Sequence, residues 1–288
     1  MKINIPARKN VPATNLYVEI ITHSKKLGDR SIILLVPGGP GGNHTVFHSI
    51  KTNLLHYADL ILFDPRGCGY SDPSDVAYCS LEHYIEDIEA LRQHFNLFKM
   101  ILFGGSYGAM ASLGYAIKYG KYLKNLILLA GSPSYHFLET ARKNLIKRGT
   151  PEQIKAAEDL FAGTFKDAEH FKTYYQTTSS LYLFNPTKQE SKLPTIEPNV
   201  PYNIAITNFG FSDFLKKFNF EPYLKNITCK TLILVGQYDW INDPIHAKYM
   251  ADHIPNAQLV IFDQCGHFVW EDQREKFFNI LDEYLKKV

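Results

Sequence analysis

Six short apolar runs, most with little polar alternation, spaced along the chain, limit its folds more than any other feature: Ile32–Val36, Leu60–Phe63, Met100–Phe103, Leu126–Leu129, Thr231–Val235 and Gln258–Phe262. Each has the length of one buried strand, and a strand apolar on both faces must be covered on both faces. Helical patterns fill several intervals, at Leu81–Phe95, Tyr107–Tyr119 and Gln273–Leu285. Strands alternating with helices predict a mostly parallel, doubly wound α/β sheet. Leu16–Thr22 is read as an antiparallel edge strand ahead of it.

The alternation stops between about Pro133 and Asn226, where helical patterns take over. Thr150-Pro151-Glu152 has the form of a helix start, and Phe161, Phe165, Phe171, Tyr174, Tyr175, Tyr182 and Phe184 make the stretch ring-rich. We expect a helical cap over 133–226 inserted into a core made of 1–132 and 227–288. Within it, Asn185–Tyr202 holds prolines at 186, 194, 198 and 201 and reads as an extended crossing or loop.

Against this frame three blocks carry chemistry. Gly104-Gly105-Ser106-Tyr107-Gly108 fits G-x-S-x-G where a buried strand runs into a helix of small residues. The bare pattern would equally suit a glycine-rich turn with an incidental serine. The strand-to-helix setting selects the sharper reading, a serine lifted clear of the sheet on a strained backbone. A serine hydroxyl needs a base in reach, and the base needs a fixed tautomer. Thr231–Val235 runs into Asp239 and Gln258–Phe262 into His267, each just past a strand end. Ser106 is therefore the expected nucleophile, His267 the base and Asp239 its orienter. Asp243 is the rival orienter, although Asn242-Asp243-Pro244 also reads as a helix cap.

The third block, Val36-Pro37-Gly38-Gly39-Pro40-Gly41-Gly42, exposes backbone N–H groups after the first buried strand. Gly39 and Tyr107 are the expected oxyanion donors. A phosphate loop would end in Gly-Lys-Ser/Thr, which this run lacks. The chemistry so read uses no metal and no cofactor.

These blocks resemble the prolyl aminopeptidase (proline iminopeptidase) branch of the α/β-hydrolases, peptidase family S33. Pro37–Gly41 is similar to its HGGPG loop, Asp64-Pro65-Arg66-Gly67-Cys68-Gly69-Tyr70-Ser71 to its D-x-R-G-x-G-x-S turn, and Gly104–Gly108 to its G-G-S-x-G elbow. Gly236–Asp239 and Cys265–His267 match in type and order. The resemblance implies the α/β-hydrolase fold and release of an N-terminal residue from short peptides. It also implies glutamates for the substrate ammonium, where this chain departs: Trp240 follows the triad aspartate and Asn208 stands near the cap position. Both are carried forward as substrate-binding candidates. Glu190, Glu197 and Glu221 are the acids left to replace them, and Pro37 stands in place of the first histidine of HGGPG. Asp64 and Arg66 are read as a brace, pairing with each other or with backbone.

An esterase or lactonase acting on an uncharged acyl group competes with the aminopeptidase reading, and a non-catalytic ligand-binding homologue is the reading from another class. Thirty-one basic against 29 acidic residues leave a formal charge of +2, which supplies no field for nucleic acid or an anionic membrane. The expected partner is a small molecule or short peptide. Four cysteines without C-x-x-C spacing read as free thiols, and the start lacks the apolar run of a signal peptide, so a cytoplasmic setting is expected. The sequence leaves oligomeric state open.

Overall fold

The computed structural model describes residues 1–8, 11–23, 25–184 and 199–286. Among them, eight strands form one sheet: β1 (Lys2–Ile5), β2 (Thr14–Ile21), β3 (Ile32–Val36), β4 (Asp59–Phe63), β5 (Met100–Gly105), β6 (Leu123–Leu129), β7 (Lys230–Gly236) and β8 (Ala257–Phe262). Their order is β1-β2-β4-β3-β5-β6-β7-β8. β1 and β2 are antiparallel, β2 meets β4 antiparallel, and every later pairing is parallel.

The burial of each strand explains its sequence. Every residue of β3, β4 and β5 is buried, so these strands could be apolar throughout. Each fully buried Val, Leu or Ile contributes about 1.5–3 kcal/mol. β2 lies outside the parallel block and alternates, with Thr14, Leu16 and Val18 inward. The sequence reading overlooked β1, whose four residues alternate exposed and buried. A run so short gives a pattern too brief to separate from loop.

The α-helices are α1 (Lys51–Leu54), α2 (Leu81–His94), α3 (Tyr107–Tyr119), α4 (Phe137–Arg148), α5 (Pro151–Ala162), α6 (Ala168–Tyr182), α7 (Ile204–Ser212), α8 (Pro244–His253), α9 (Val269–Asp272) and α10 (Arg274–Leu285). α4 to α7 all fall between β6 and β7. Thr150 caps α5 through a reciprocal pair with Gln153, with Pro151 in the first turn, where its missing N–H costs nothing. Most of the proline-rich crossing, Glu190 and Glu197 included, lies outside the described residues.

α7 rests on the glycine loop after β3. Tyr202 Oη and Thr207 Oγ1 both donate to Pro40 O, at 3.0 and 2.7 Å. A Cβ on Gly41 would meet Asn203 O at 2.3 Å, so the helix lies directly against bare backbone. Among the described residues, no helix is long and apolar enough to cross a membrane.

Candidate active site

Ser106 ends β5 and opens α3 with φ 55° and ψ −121°, a backbone that a non-glycine residue adopts only under constraint from its surroundings. The constraint is visible. Ser106 N–H donates to Leu129 O of β6 at 2.8 Å, and Ser106 O accepts from the N–H groups of Ala109 and Met110 at 2.9 and 3.2 Å. Gly108 packs α3 against β3 so closely that a Cβ there would stand 2.0 Å from Val36 O.

Asp239 follows β7 and is fully buried. Its Oδ1 accepts the Ile241 and Asn242 N–H groups, each at 3.0 Å, while Oδ2 lies 2.7 Å from His267 Nδ1. A carboxylate there assigns the proton to Nδ1 and leaves Nε2 with its lone pair. The rival Asp243 does another job: it caps α8 through Ile245 N–H and accepts from Asn144 Nδ2 at 2.7 Å.

His267 is held by groups that the sequence reading did not find. Its N–H donates to Tyr182 O at the end of α6 at 2.8 Å. The Tyr182 ring meets the imidazole edge-on with centroids 5.6 Å apart. Buried Asp272 accepts from Gly266 N–H at 2.7 Å and Phe184 N–H at 2.9 Å, tying the histidine loop to the chain leaving α6. Sequence offers little signal for this, because a lone aspartate in a helical stretch looks like any solvated acid.

Ser106 and His267 line one cavity of about 1050 Å³, solvent-open mouth included. Gly38 and Gly39 form part of its wall, and a Cβ on Gly38 would stand 3.1 Å from Ser106 Cβ, so the glycine loop touches the serine. Gly39 has φ 138°, a conformation open to glycine, and a Cβ there would strike the Gly41 and Gly42 nitrogens at 2.7 Å. Tyr107 is the first residue of α3, where a helical N–H has no partner within the helix. Among the described residues, no acceptor engages the N–H of Gly39 or of Tyr107.

The two substrate-binding candidates need correction. Trp240 is fully buried and stands behind the wall, edge-on to Tyr182 at 5.5 Å and Phe161 at 6.2 Å. Asn208 clamps Phe165, accepting its N–H at 3.0 Å and donating to its carbonyl at 2.7 Å, so its amide is spent on the backbone. The rings on the cavity are instead Phe171, Tyr174, Tyr175, Tyr182, Tyr202 and Trp270, among others. Among the described residues that line it there is no carboxylate. Glu221 is away from it, bonded to Ser134 Oγ at 2.5 Å and His136 Nδ1 at 3.1 Å.

Asp64 and Arg66 do not pair with each other. Asp64 accepts from His44 N–H, His44 Nδ1 and Tyr70 N–H at 2.8, 2.6 and 2.8 Å. Arg66 makes a two-pronged pair with Asp87, at 3.1 and 2.7 Å, and donates to Pro12 O. Burial raises the Asp87 carboxyl above its ordinary value despite that partner.

Comparison with known proteins fits this geometry. The α/β-hydrolase fold family matches residues 31–273. Proline iminopeptidase PfmaB of Pestalotiopsis fici is 30% identical over 265 residues, 90% of this chain and 93% of its own. The proline iminopeptidase of Saccharolobus solfataricus is 28% identical over 291 residues, 97% of this chain and 92% of its own. The crystal structure of proline iminopeptidase from Mycobacterium smegmatis superposes with a TM-score of 0.75, covering 100% of this chain and 98% of that one. Its identity is 18%, so that likeness speaks for the fold. This chain therefore belongs to the α/β-hydrolase family, among relatives that carry the name proline iminopeptidase.

Proposed function

We propose that the protein is a serine hydrolase of the proline iminopeptidase type, releasing N-terminal residues from short peptides through an acyl-enzyme. The observation that carries the reading is the 2.7 Å contact of Asp239 with His267 Nδ1, at a cavity that also holds Ser106 on its strained turn. Ser106 attacks the carbonyl carbon, His267 Nε2 takes the hydroxyl proton and returns it to the leaving amine, and water then repeats the cycle on the ester. The uncommitted N–H groups of Gly39 and Tyr107 stabilise the oxyanion. Residues 133–226 act as the cap over a core of 1–132 and 227–288, which the clasp of Tyr202 and Thr207 on Pro40 supports. The four cysteines are buried free thiols, in keeping with a cytoplasmic setting.

One observation favours the second reading, an esterase or lactonase. A desolvated ammonium needs a carboxylate partner, and the described lining residues supply aromatic rings and hydroxyls. A panel of aminoacyl amides and esters with free and acetylated amino groups decides between them. The aminopeptidase reading expects higher kcat/KM for the free amines, proline first. Preference for acetylated substrates would exchange it for the esterase. A fluorophosphonate probe should label the wild type and leave Ser106→Ala unlabelled; equal labelling of both would remove Ser106 from the chemistry.

A further inference from the structure

We infer that Glu19, His44 and His48 form a binding site for a divalent transition metal of the Zn²⁺ class, apart from the catalytic cavity. Glu19 comes from β2, and the two histidines flank the tight turn that follows the glycine loop. Their ligating atoms all lie within 4.8 Å of one another. Glu19 Oε2 stands 3.3 Å from His48 Nε2 and 3.7 Å from His44 Nε2. Ligand atoms at about 2.0–2.1 Å from a tetrahedral Zn²⁺ are about 3.3 Å apart, so the edges running from Glu19 are already near their bound lengths.

The surroundings of the three groups are those of a metal ligand set. His44 Nδ1 faces buried Asp64 at 2.6 Å, which assigns its proton to Nδ1 and turns the Nε2 lone pair toward Glu19. Asp64 is itself fixed by two backbone N–H groups, so the imidazole plane is set before any ion arrives. Glu19 divides its oxygens: Oε1 accepts from Lys51 Nζ at 2.8 Å, and Oε2 is the atom that faces both imidazoles. Single-oxygen ligation through Oε2 therefore leaves the lysine contact in place.

Local charge favours a cation, with Glu19 and Asp64 against Lys51. Two imidazoles and one carboxylate suit Zn²⁺ better than Mg²⁺ or Ca²⁺, which prefer all-oxygen shells. His44 is buried, while the Glu19 and His48 side chains are 25% and 26% exposed. The site is therefore open to solvent on the Glu19 and His48 side.

None of the three side chains lines the catalytic cavity, but Thr45, Val46 and Phe47 between the histidines do. A bound ion would pin the antiparallel strand β2 to that stretch of cavity wall.

The test is calorimetric titration of the chelator-treated full-length chain with Zn²⁺, with Co²⁺ as the optical probe. One equivalent should bind, raise Tm, and give the intense visible bands of four-coordinate Co²⁺. His48→Ala and Glu19→Ala, each verified as folded by circular dichroism, should weaken binding at least about 10-fold and remove the Tm rise. His253→Ala, an exposed histidine on α8, should leave affinity unchanged. Two outcomes overturn the inference: no saturable binding to the wild type, or affinity that survives both ligand substitutions.

Discussion

On the proposed mechanism the Ser106 hydroxyl is only as nucleophilic as its base, and His267 serves as that base only with Nδ1 carrying the proton. The chain of dependence gives the first prediction. Ser106→Ala and His267→Ala should each lower kcat by about 10⁴-fold or more, and the double variant should be little worse than either. Asp239→Asn should cost about 10⁴-fold with the geometry kept, because an amide no longer selects the tautomer. Steady-state kinetics on one amide substrate checks all of these, and multiplicative losses would mean that the residues act independently. At this scale the sequence was legible where a residue is placed by the end of a strand: Ser106 directly follows β5, and Asp239 and His267 stand in the loops after β7 and β8. It was misleading at Trp240 and Asn208, which were carried forward because they stand where the family resemblance implies glutamates. Trp240 points into the packing of Phe161 and Tyr182, while Trp270, thirty residues on, takes the place on the cavity wall. No local pattern distinguishes two tryptophans that differ only in which side of a loop they face.

Elements are coupled by polar contacts as well as by apolar packing. α8 of the sheet layer meets α4 through His246 Nε2 and Thr140 Oγ1 at 2.7 Å, inside a contact where His246 is 7% exposed. Burial lowers the pKa of that imidazole from the ordinary 6.5, and the nearby acids Asp243 and Glu221 only partly oppose it. The unfolded chain therefore binds the proton more readily than the folded one. The associated stability is complete above pH 6.5 and is lost as the pH falls from there toward the lowered folded value. Tm measured from pH 7.5 down to about 5.5 should decline. His246→Gln keeps a polar partner for Thr140 without a titrating ring and should flatten part of that decline. An unchanged slope would show that the α4–α8 contact does not feel this proton. The strands that build the sheet were readable because β3 to β7 each hold an apolar run buried on both faces. The contacts that seat α4 to α7 on it were not, because a hydrogen bond such as His267 N–H to Tyr182 O joins backbone groups that every residue has.

Across the whole molecule, the four buried thiols lie in three places, two of them together in a small cluster apart from the main core. Cys68 and Cys79 sit under the glycine loop against Ile206, Cys229 precedes β7, and Cys265 lies beside the histidine loop. All are buried, and burial is the leading cause that raises each pKa above the ordinary 9.0. Cys79 is pushed up to about 11. A thiol of that pKa is about one part in a thousand thiolate at pH 8. The thiolate is the attacking species, so the fold suppresses reaction both by hiding the sulfur and by keeping it protonated. The native protein should accordingly react slowly with an aromatic disulfide reagent, and all four thiols should react promptly in denaturant. In intermediate denaturant the four should appear together if the sheet opens as one unit. They should appear in sequence if the α4–α7 layer lifts first, and Cys68 and Cys79 would then lead, since Ile206 of α7 covers them. Mass spectrometry of the labelled peptides separates the two courses, and prompt labelling of any cysteine in the native state would contradict the buried placement of that sulfur.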